Sequence, residues 1–170
     1  MQAKYTWTED TFLQVAYNDF QYGPLSARNR ASKLVIIATL AGLLLINLYY
    51  NNWQFELWNL AIIAVGVGWF YLRGALMLKM FARAYKRSSL QNKQLSLSWN
   101  EKELSVQLAD GPKQSLAWEE VKQVTQVNEG FLSYPGPIWL PNNEIKATSV
   151  PELTVFLKRK VANFTSHIKN

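Results

Sequence analysis

Two long apolar runs without charged side chains constrain the fold of this chain more than any other feature. The first run covers residues 34–50 and the second covers residues 57–72, or 57–78 if the Arg73 head reaches toward water. A helix rises about 1.5 Å per residue, so such runs span about 25 to 33 Å, close to a bilayer's hydrocarbon thickness of about 30 Å. The sequence therefore predicts a transmembrane helical hairpin with helices at about 34–50 and 57–78.

The residues around the two runs fit this interpretation. Aromatic side chains favour the membrane–water interface. They lie at both ends of the runs, as Tyr49, Tyr50, Trp53, Phe55 and Trp58 near the connection and as Trp69 and Tyr71 near the other side. Two buried helices of a soluble protein are the alternative, but no other part of a 170-residue chain could enclose them. A cleavable signal peptide is disfavoured, because 33 residues with three acidic side chains precede the first run.

Lysine and arginine are distributed unevenly around the runs. Residues 51–56 contain none, residues 1–33 contain four, and residues 73–93 contain six without any acidic residue. Because basic residues favour the cytoplasmic side of a membrane, we expect both termini in the cytoplasm and the protein in the inner (plasma) membrane of a bacterial cell.

The net charge points to membrane lipid as a partner. The formal net charge is +6, yet residues 94–170 hold eight basic and eight acidic side chains, which cancel. The excess therefore lies beside the second run, and no nucleic-acid partner is predicted. Five basic residues are predicted to contact anionic headgroups: Arg73, Lys79, Arg83, Lys86 and Arg87. A solvated helix end is an equally weighted alternative.

Small residues predict how the two helices pack. Each run contains one small-xxx-small pair, namely Ala38 with Gly42 and Ala64 with Gly68. In a hairpin centred near Trp53, residues whose numbers sum to about 106 share a depth, so Ala38 faces Gly68 and Gly42 faces Ala64. We predict a helix-packing seam at these four residues. Coincidence and a homo-oligomer contact through the same surface are the alternatives.

The pattern of apolar residues changes after residue 93. Three segments are predicted before this point. Residues 1–32 form an N-terminal cytoplasmic part, residues 33–78 form the hairpin, and residues 79–93 form a basic juxtamembrane helix or linker. Residues 94–170 then alternate with period two and are punctuated by turn residues, among them Asp110-Gly111 and Pro135-Gly136-Pro137. Six short strands are predicted, reaching about residues 99, 108, 118, 127, 134 and 140, and they imply a curved antiparallel sheet.

One helix is predicted after the strands, at the C-terminal end, and another near the N-terminus. Apolar residues recur at helical spacing over residues 150–169, with Pro151 suited to the first turn, which predicts a C-terminal amphipathic helix closing the sheet. This arrangement is similar to pleckstrin-homology-like domains, so the predicted fold class is an α+β membrane protein. Residues 3–7 alternate as a strand does, and we hypothesise that they join the C-terminal sheet. Thr8 then caps a helix running to about Tyr22.

Three short motifs resemble the YcxB-like family of small bacterial membrane proteins. They are the opening Tyr5-Thr6-Trp7-Thr8-Glu9-Asp10-Thr11-Phe12, the run Leu116-Ala117-Trp118-Glu119-Glu120-Val121, and Phe131 to Tyr134 followed by Ile138-Trp139-Leu140-Pro141. The family pattern has a basic and an aromatic residue after this proline, where Asn142 and Ile145 stand here. The resemblance implies a span pair and a C-terminal domain of that name, and no activity.

Few side chains offer chemistry. Cysteine is absent and the one histidine, His167, lies near the C-terminal end, so no catalytic residue, metal site or cofactor is predicted. Glu119 and Glu120 are adjacent, so in a strand they would point to opposite faces. Trp139 lies between two prolines, and we predict it as the exposed contact for a protein partner.

Two classes of function follow. The first, which we favour, is a noncatalytic membrane-tethered binding or regulatory module whose cytoplasmic domain binds an unidentified protein or a lipid headgroup. The alternative is a membrane enzyme that acts on lipid or peptide through an unrecognised active site. A pore would need a polar stripe along a span, and only Asn47 and Asn59 interrupt the apolar runs near the connection.

Overall fold

The computed structural model describes residues 1–109, 111–146 and 148–168, so Asp110 of the predicted turn lies outside the described residues. The fold is α+β. The helices are α1 (Glu9–Tyr22), α2 (Ser26–Tyr50), α3 (Leu57–Arg87) and α4 (Val150–Lys160). The strands are β1 (Gln2–Thr6), β2 (Gln94–Trp99), β3 (Glu103–Leu108), β4 (Lys113–Ala117), β5 (Gln123–Val127), β6 (Gly130–Tyr134), β7 (Ile138–Pro141), β8 (Ile145–Lys146) and β9 (Phe164–Ser166).

Helices α2 and α3 form an antiparallel hairpin and are both long and apolar enough to cross a membrane. Their 25 and 31 residues correspond to about 37 and 46 Å of helix. Both extend beyond the predicted spans, since α2 begins at Ser26 and α3 continues without a break through residue 79 to Arg87. Their apolar stretches are almost entirely exposed, so the rest of the protein does not cover them.

The hairpin has the predicted register but a different contact face. Asn47 Nδ2 donates a hydrogen bond of 2.6 Å to Asn59 Oδ1, and a Cβ built on Gly66 would lie 3.1 Å from Leu40 Cδ1. Both pairs sum to 106, as the hairpin geometry requires. A Cβ on Gly42 or Gly68, in contrast, would meet open space.

The predicted seam is therefore corrected. Ala38 and Ala64 are exposed, and Gly42 and Gly68 point away from the helix contact. The contact face instead carries Asn59 and Gly66, both buried and seven residues apart, opposite Leu40 and Asn47. Seven residues are about two helical turns, so each of these pairs lies on a single face of its helix.

Two sheets form the β domain. The first has the order β4-β3-β2-β1-β8 and the second the order β7-β6-β5-β9. Strand β1 pairs antiparallel with β2, with Thr6 opposite Gln94, which confirms the hypothesis that the N-terminal segment joins this sheet. The helices α1, α2 and α3 are thus an insertion between two neighbouring strands.

The C-terminal segment differs from its prediction. Pro151 lies in the first turn of α4 as predicted, and Ser149 caps the helix in a capping box with Glu152. The helix ends at Lys160 rather than near residue 169. Residues 164–166 form β9, which pairs parallel with β5. The reason is the edge of β5, because Val124 N–H donates to the Asn163 carbonyl and Gln126 accepts from His167 N–H. These bonds satisfy backbone groups that a longer helix would leave unpaired.

The apolar core has two parts. One lies between the sheets and under α4, and it includes Leu97, Phe131 and Leu153, each 1% exposed or less. The other lies where the β domain meets α1 and α3, and it includes Trp7, Tyr85 and Trp139. This second cluster fixes the helical insertion on the β domain.

Candidate binding groove and helical junction

Helix α1 forms the junction between the hairpin and the β domain. Thr8 Oγ1 accepts a hydrogen bond of 3.2 Å from Thr11 N–H and so starts the helix directly after β1. Phe12 then lies against Trp7, with ring centroids 6.1 Å apart, and against Tyr85 of α3, at 5.7 Å. These aromatic contacts connect β1, α1 and α3.

Tyr85 holds α3 to the strands on either side of the insertion. Its side chain is 2% exposed. Its hydroxyl donates to the Trp7 carbonyl at 3.0 Å or to Asn92 Oδ1 at 3.0 Å, and it accepts from Asn92 N–H at 3.2 Å. Trp7 follows β1 and Asn92 precedes β2, so one phenol fastens the base of the insertion.

The other end of α1 is tied to the second sheet. Tyr134 Oη donates to Asp19 Oδ1 at 2.6 Å, and the Tyr22 ring stacks on His167 with centroids 4.5 Å apart. Burial, and then the hydrogen bond to Asp19, raise the pKa of the Tyr134 hydroxyl well above its ordinary value. The phenol therefore stays protonated and keeps donating across the neutral range.

An apolar groove of about 510 Å³ lies in the β domain next to this junction. The volume is within the range of ligand sites. Its wall contains no charged side chain within the described part of the chain. The residues that line it are Tyr5, Trp7, Phe12, Ser88, Leu90, Leu95, Leu97, Leu104, Val106, Gln114, Ser115, Leu116, Pro135, Gly136, Pro137, Ile138 and Trp139.

The groove runs along the edges of two strands. Gln114, Ser115 and Leu116 are consecutive residues of β4, and Ile138 and Trp139 are consecutive in β7. Successive side chains of a strand point to opposite faces, so consecutive residues line one groove only when it follows the strand's edge. Strand β4 is an edge strand of the first sheet and β7 is an edge strand of the second. The groove therefore lies between the edges of the two sheets, and we call it the edge groove.

Some polar groups in the wall of the edge groove have hydrogen-bond partners and others do not. Tyr5 Oη donates to the Trp139 carbonyl at 2.8 Å and ties the sheets together, and burial raises the pKa of this phenol above its ordinary value. The indole N–H groups of Trp7 and Trp139 are buried and have no acceptor among the described residues. Such orphan donors cost about 1 to 3 kcal/mol each, so two in one wall are unusual.

The predicted partner contact at Trp139 is corrected by its burial. Its side chain is 1% exposed, so the prediction that it is exposed is wrong. The flanking prolines indicated exposure, but Trp139 lies in β7, where a strand was predicted, and packs in the same cluster as Trp7 and Tyr85. It contributes to the wall of the groove and not to the outer surface.

The five predicted lipid-contact residues all lie on α3. Arg73 is half-buried, and Lys79, Arg83, Lys86 and Arg87 are exposed. The salt bridges formed within the described residues use Lys113, Arg159 and Lys160 instead. The five α3 cations therefore have no carboxylate neighbour in the described part of the protein and are available to anions from outside.

Sequence reasoning did not identify Tyr85 or the edge groove. Tyr85 lies in a basic stretch whose charges indicated a surface helix, and its partners are distant in sequence or follow the helix. The signal for the groove was weak as well, because its walls come from strands that only the sheet order brings together. The pairing of Asn47 with Asn59 was within reach, since the numbers of both residues sum to 106.

Among residues 1–109, 111–146 and 148–168, no cluster of His, Asp and Glu side chains could hold a metal ion. Comparisons with family models, with curated proteins and with solved structures gave no match for this chain.

Proposed function

We propose that this protein is a noncatalytic binding or regulatory module anchored in the inner membrane of a bacterial cell, with its β domain in the cytoplasm. The observation that carries the proposal is the uncovered apolar surface of α2 and α3, which belong to an insertion between adjacent strands of a well-packed domain. Exposed apolar area of this extent is unfavourable in water, and lipid removes the cost.

The sheet order supports one orientation of the whole protein. Strand β1, before the insertion, pairs with β2 and β8, after it. The parts of the chain on either side of the hairpin therefore belong to one folded domain and lie on one side of the membrane. The unpaired cations of α3 at the base of the hairpin favour the cytoplasmic side, where anionic lipid attracts them.

The strand order also supports a pleckstrin-homology-like assignment. Strands β1 to β4 form consecutive neighbours in one sheet, β5 to β7 do so in the other, and α4 packs on the shared core. On this proposal β8 and β9 are additions at the sheet edges and the hairpin interrupts the first connection. Membership of the YcxB-like family is proposed on the three motifs alone.

The edge groove favours binding over catalysis as the role of the β domain. Its wall offers apolar surface and serine and glutamine side chains, and the indole N–H groups of its two tryptophans are buried without an acceptor among the described residues. These groups recognise a neutral, partly apolar ligand, and they do not include the acid–base pair that hydrolysis of a lipid or peptide commonly uses.

Single cysteines test the anchoring and the orientation, because the natural chain has none. Gln54→Cys lies in the connection of the hairpin and Ser89→Cys follows α3, and both positions are exposed. In intact bacterial cells whose outer membrane has been made permeable, we expect a membrane-impermeant maleimide to label the Gln54→Cys chain. The Ser89→Cys chain should react only after the inner membrane is opened.

Extraction with alkaline carbonate gives the second readout. An anchored chain stays in the membrane pellet, whereas release into the supernatant would contradict the anchoring. Labelling of Ser89→Cys in cells with an intact inner membrane would contradict the cytoplasmic placement of the β domain.

A further inference from the structure

The outer edge of β4 carries free backbone groups beside the edge groove. Within the described residues β4 pairs only with β3. Along this pair the backbone groups of alternate residues point toward β3 and away from it. Trp118 N–H donates to the Lys102 carbonyl, so by alternation Leu116 and Gln114 bond to β3. Ser115 and Lys113 then point outward.

The two ends of this edge are not equivalent. At the distal end, Glu120 Oε2 accepts the Ala117 N–H at 3.0 Å and closes the edge there. No hydrogen bond to the Ser115 N–H is formed by the described residues. Ser115 is therefore the centre of an open strand edge that continues into an apolar groove, a combination that natural sheets usually avoid by covering the edge.

We infer that the edge groove binds an extended segment of a partner protein, which adds as a further strand to β4 at Ser115. The inference rests on the proposed function of the β domain as a binding module and names the class of its ligand. Backbone bonds to Ser115 supply register, and side chains on one face of the segment enter the gap toward Ile138 and Leu104. The segment has apolar residues at every second position.

Charge defines the orientation of this segment. The start of β4 pairs with the end of β3, which pairs with the start of β2 near the base of the hairpin, where the unpaired Lys86 and Arg87 end α3. Lys113 itself is paired with Glu103 at 3.7 Å, so the unpaired positive charge at this end belongs to α3. Glu119 and Glu120 follow β4 at its other end. Since the groove wall between these ends is uncharged, the complementary segment is apolar in its middle, acidic toward the hairpin and basic at its far end.

The position of the groove favours a peptide over a lipid chain. Ser88, one of the residues that line it, follows residues 79–87 of α3, which rise about 14 Å beyond the predicted end of the span. A headgroup layer is about 5 to 7 Å thick on each side of the bilayer. A lipid would have to leave the bilayer to enter the groove, whereas a cytoplasmic segment reaches it directly.

The test uses the full chain in nanodiscs of phosphatidylcholine and phosphatidylglycerol and a displayed library of random twelve-residue peptides. We expect selected peptides to alternate apolar and polar residues and to carry opposite charges at their two ends. The best peptide is then titrated by fluorescence anisotropy against the natural chain, Ser115→Ala and Ser115→Pro. Ser115→Ala keeps the backbone N–H and should change Kd by about twofold or less, and Ser115→Pro removes it and should raise Kd by about tenfold.

If Ser115→Pro folds poorly, amide hydrogen exchange measured on the natural chain, with and without peptide, tests the same contact. Bound peptide should slow exchange of the Ser115 amide and leave the Gln114 amide, already paired with β3, unchanged. The inference is overturned if no peptide is enriched, if Ser115→Pro and Ser115→Ala bind alike, or if brominated phosphatidylglycerol enters the groove and displaces the peptide. None of these results alters the labelling of Gln54→Cys and Ser89→Cys, so failure of the groove and failure of the anchoring are distinguishable.

Discussion

At the scale of single residues, Tyr85 contributes more to the architecture than its position in a basic helix indicates. One hydroxyl contacts the Trp7 carbonyl and the Asn92 side chain and backbone, which lie on opposite sides of the insertion. The ring packs against Phe12 of α1. Removing the hydroxyl alone affects the connection between α3 and the β domain and leaves the ring in the second part of the core.

Tyr85→Phe should lower the free energy of unfolding of the β domain by about 1 kcal/mol, because the hydroxyl's hydrogen bonds are lost. The Trp7 carbonyl and the Asn92 N–H keep their mutual bond of 3.1 Å, so neither is left unpaired. Urea unfolding of the detergent-solubilised protein, followed by tryptophan fluorescence, measures the loss. Tyr17→Phe is the matched control, since Tyr17 is exposed and accepts only from Gln21 on the same helix. Equal losses of unfolding free energy in the two variants would contradict the proposed role of the Tyr85 hydroxyl in holding α3 to the β domain.

Glu152 makes the stability of α4 depend on pH. Hydrogen bonds from the Ser149 backbone, and then from the Thr148 and Ser149 side chains, lower the pKa of its carboxyl below the ordinary value. A depressed pKa stabilises the fold above the unfolded-state pKa, and the contribution is lost as pH falls through the folded-state pKa. Glu152→Gln should therefore flatten the acid side of the stability curve between about pH 5 and pH 3. Glu119→Gln, at an exposed position, should keep the natural curve, and a Glu152→Gln curve parallel to the natural one would count against this explanation.

At the scale of elements, the apolar sequence of the hairpin predicted the register of its two helices but not the face on which they pack. The short connection defines the register, and both Asn47–Asn59 and Leu40–Gly66 lie at the predicted depths. Apart from the pairing of Asn47 with Asn59, the contact face was not predictable, because the rest of each helix is apolar on all sides and has no polar face that identifies its buried side. Small residues occur on several faces, and the structure uses Gly66 instead of Gly42 and Gly68.

Gly66→Leu should separate α2 from α3, because even a Cβ there would lie 3.1 Å from Leu40 Cδ1. Disulfide formation between Leu44→Cys and Ile62→Cys, a pair at equal depth by the same register, measures the separation in membranes. We expect slower crosslinking in the Gly66→Leu background. Gly42→Leu and Gly68→Leu are the controls, since both positions face open space. If the disulfide forms more slowly in these controls than in the Gly66→Leu chain, the originally predicted seam would be correct.

The C-terminal segment shows a second limit at this scale. Helical spacing continued past Lys160 in the sequence, yet residues 164–166 complete β5 by parallel pairing. The strands β8 and β9 contain two and three residues, too few for an alternating pattern to be visible. Tertiary hydrogen bonding to an open edge decided their conformation.

At the scale of the whole molecule, the sequence was informative about architecture and less so about sites. Alternation and turn residues predicted β2 to β7 within a few residues, and the pattern of residues 3–7 indicated β1. The burial of Trp139 and the edge groove depend on sheets that assemble from distant strands, which local patterns do not encode. The prediction of an exposed Trp139 was wrong for this reason.

Orientation should depend on the cations of α3. Replacing Arg73, Lys79, Arg83, Lys86 and Arg87 with glutamine removes the positive bias beside the second span, so a fraction of chains should insert with reversed topology. Labelling of Ser89→Cys by the impermeant maleimide in cells with an intact inner membrane measures that fraction. The control replaces five lysines of the β domain with glutamine: Lys102, Lys113, Lys122, Lys146 and Lys158. Unchanged orientation in the first variant would assign the topology to another feature.

The placement of the hairpin between β1 and β2 has a consequence for biogenesis. Strand β1 leaves the ribosome first, but its neighbours β2 and β8 follow only after residues 7–93 have been synthesised. The first sheet therefore stays incomplete while the helices of the insertion are synthesised. Pairing of β1 with β2 can follow only once the whole hairpin has been made, so a finished first sheet marks a chain whose helices are complete.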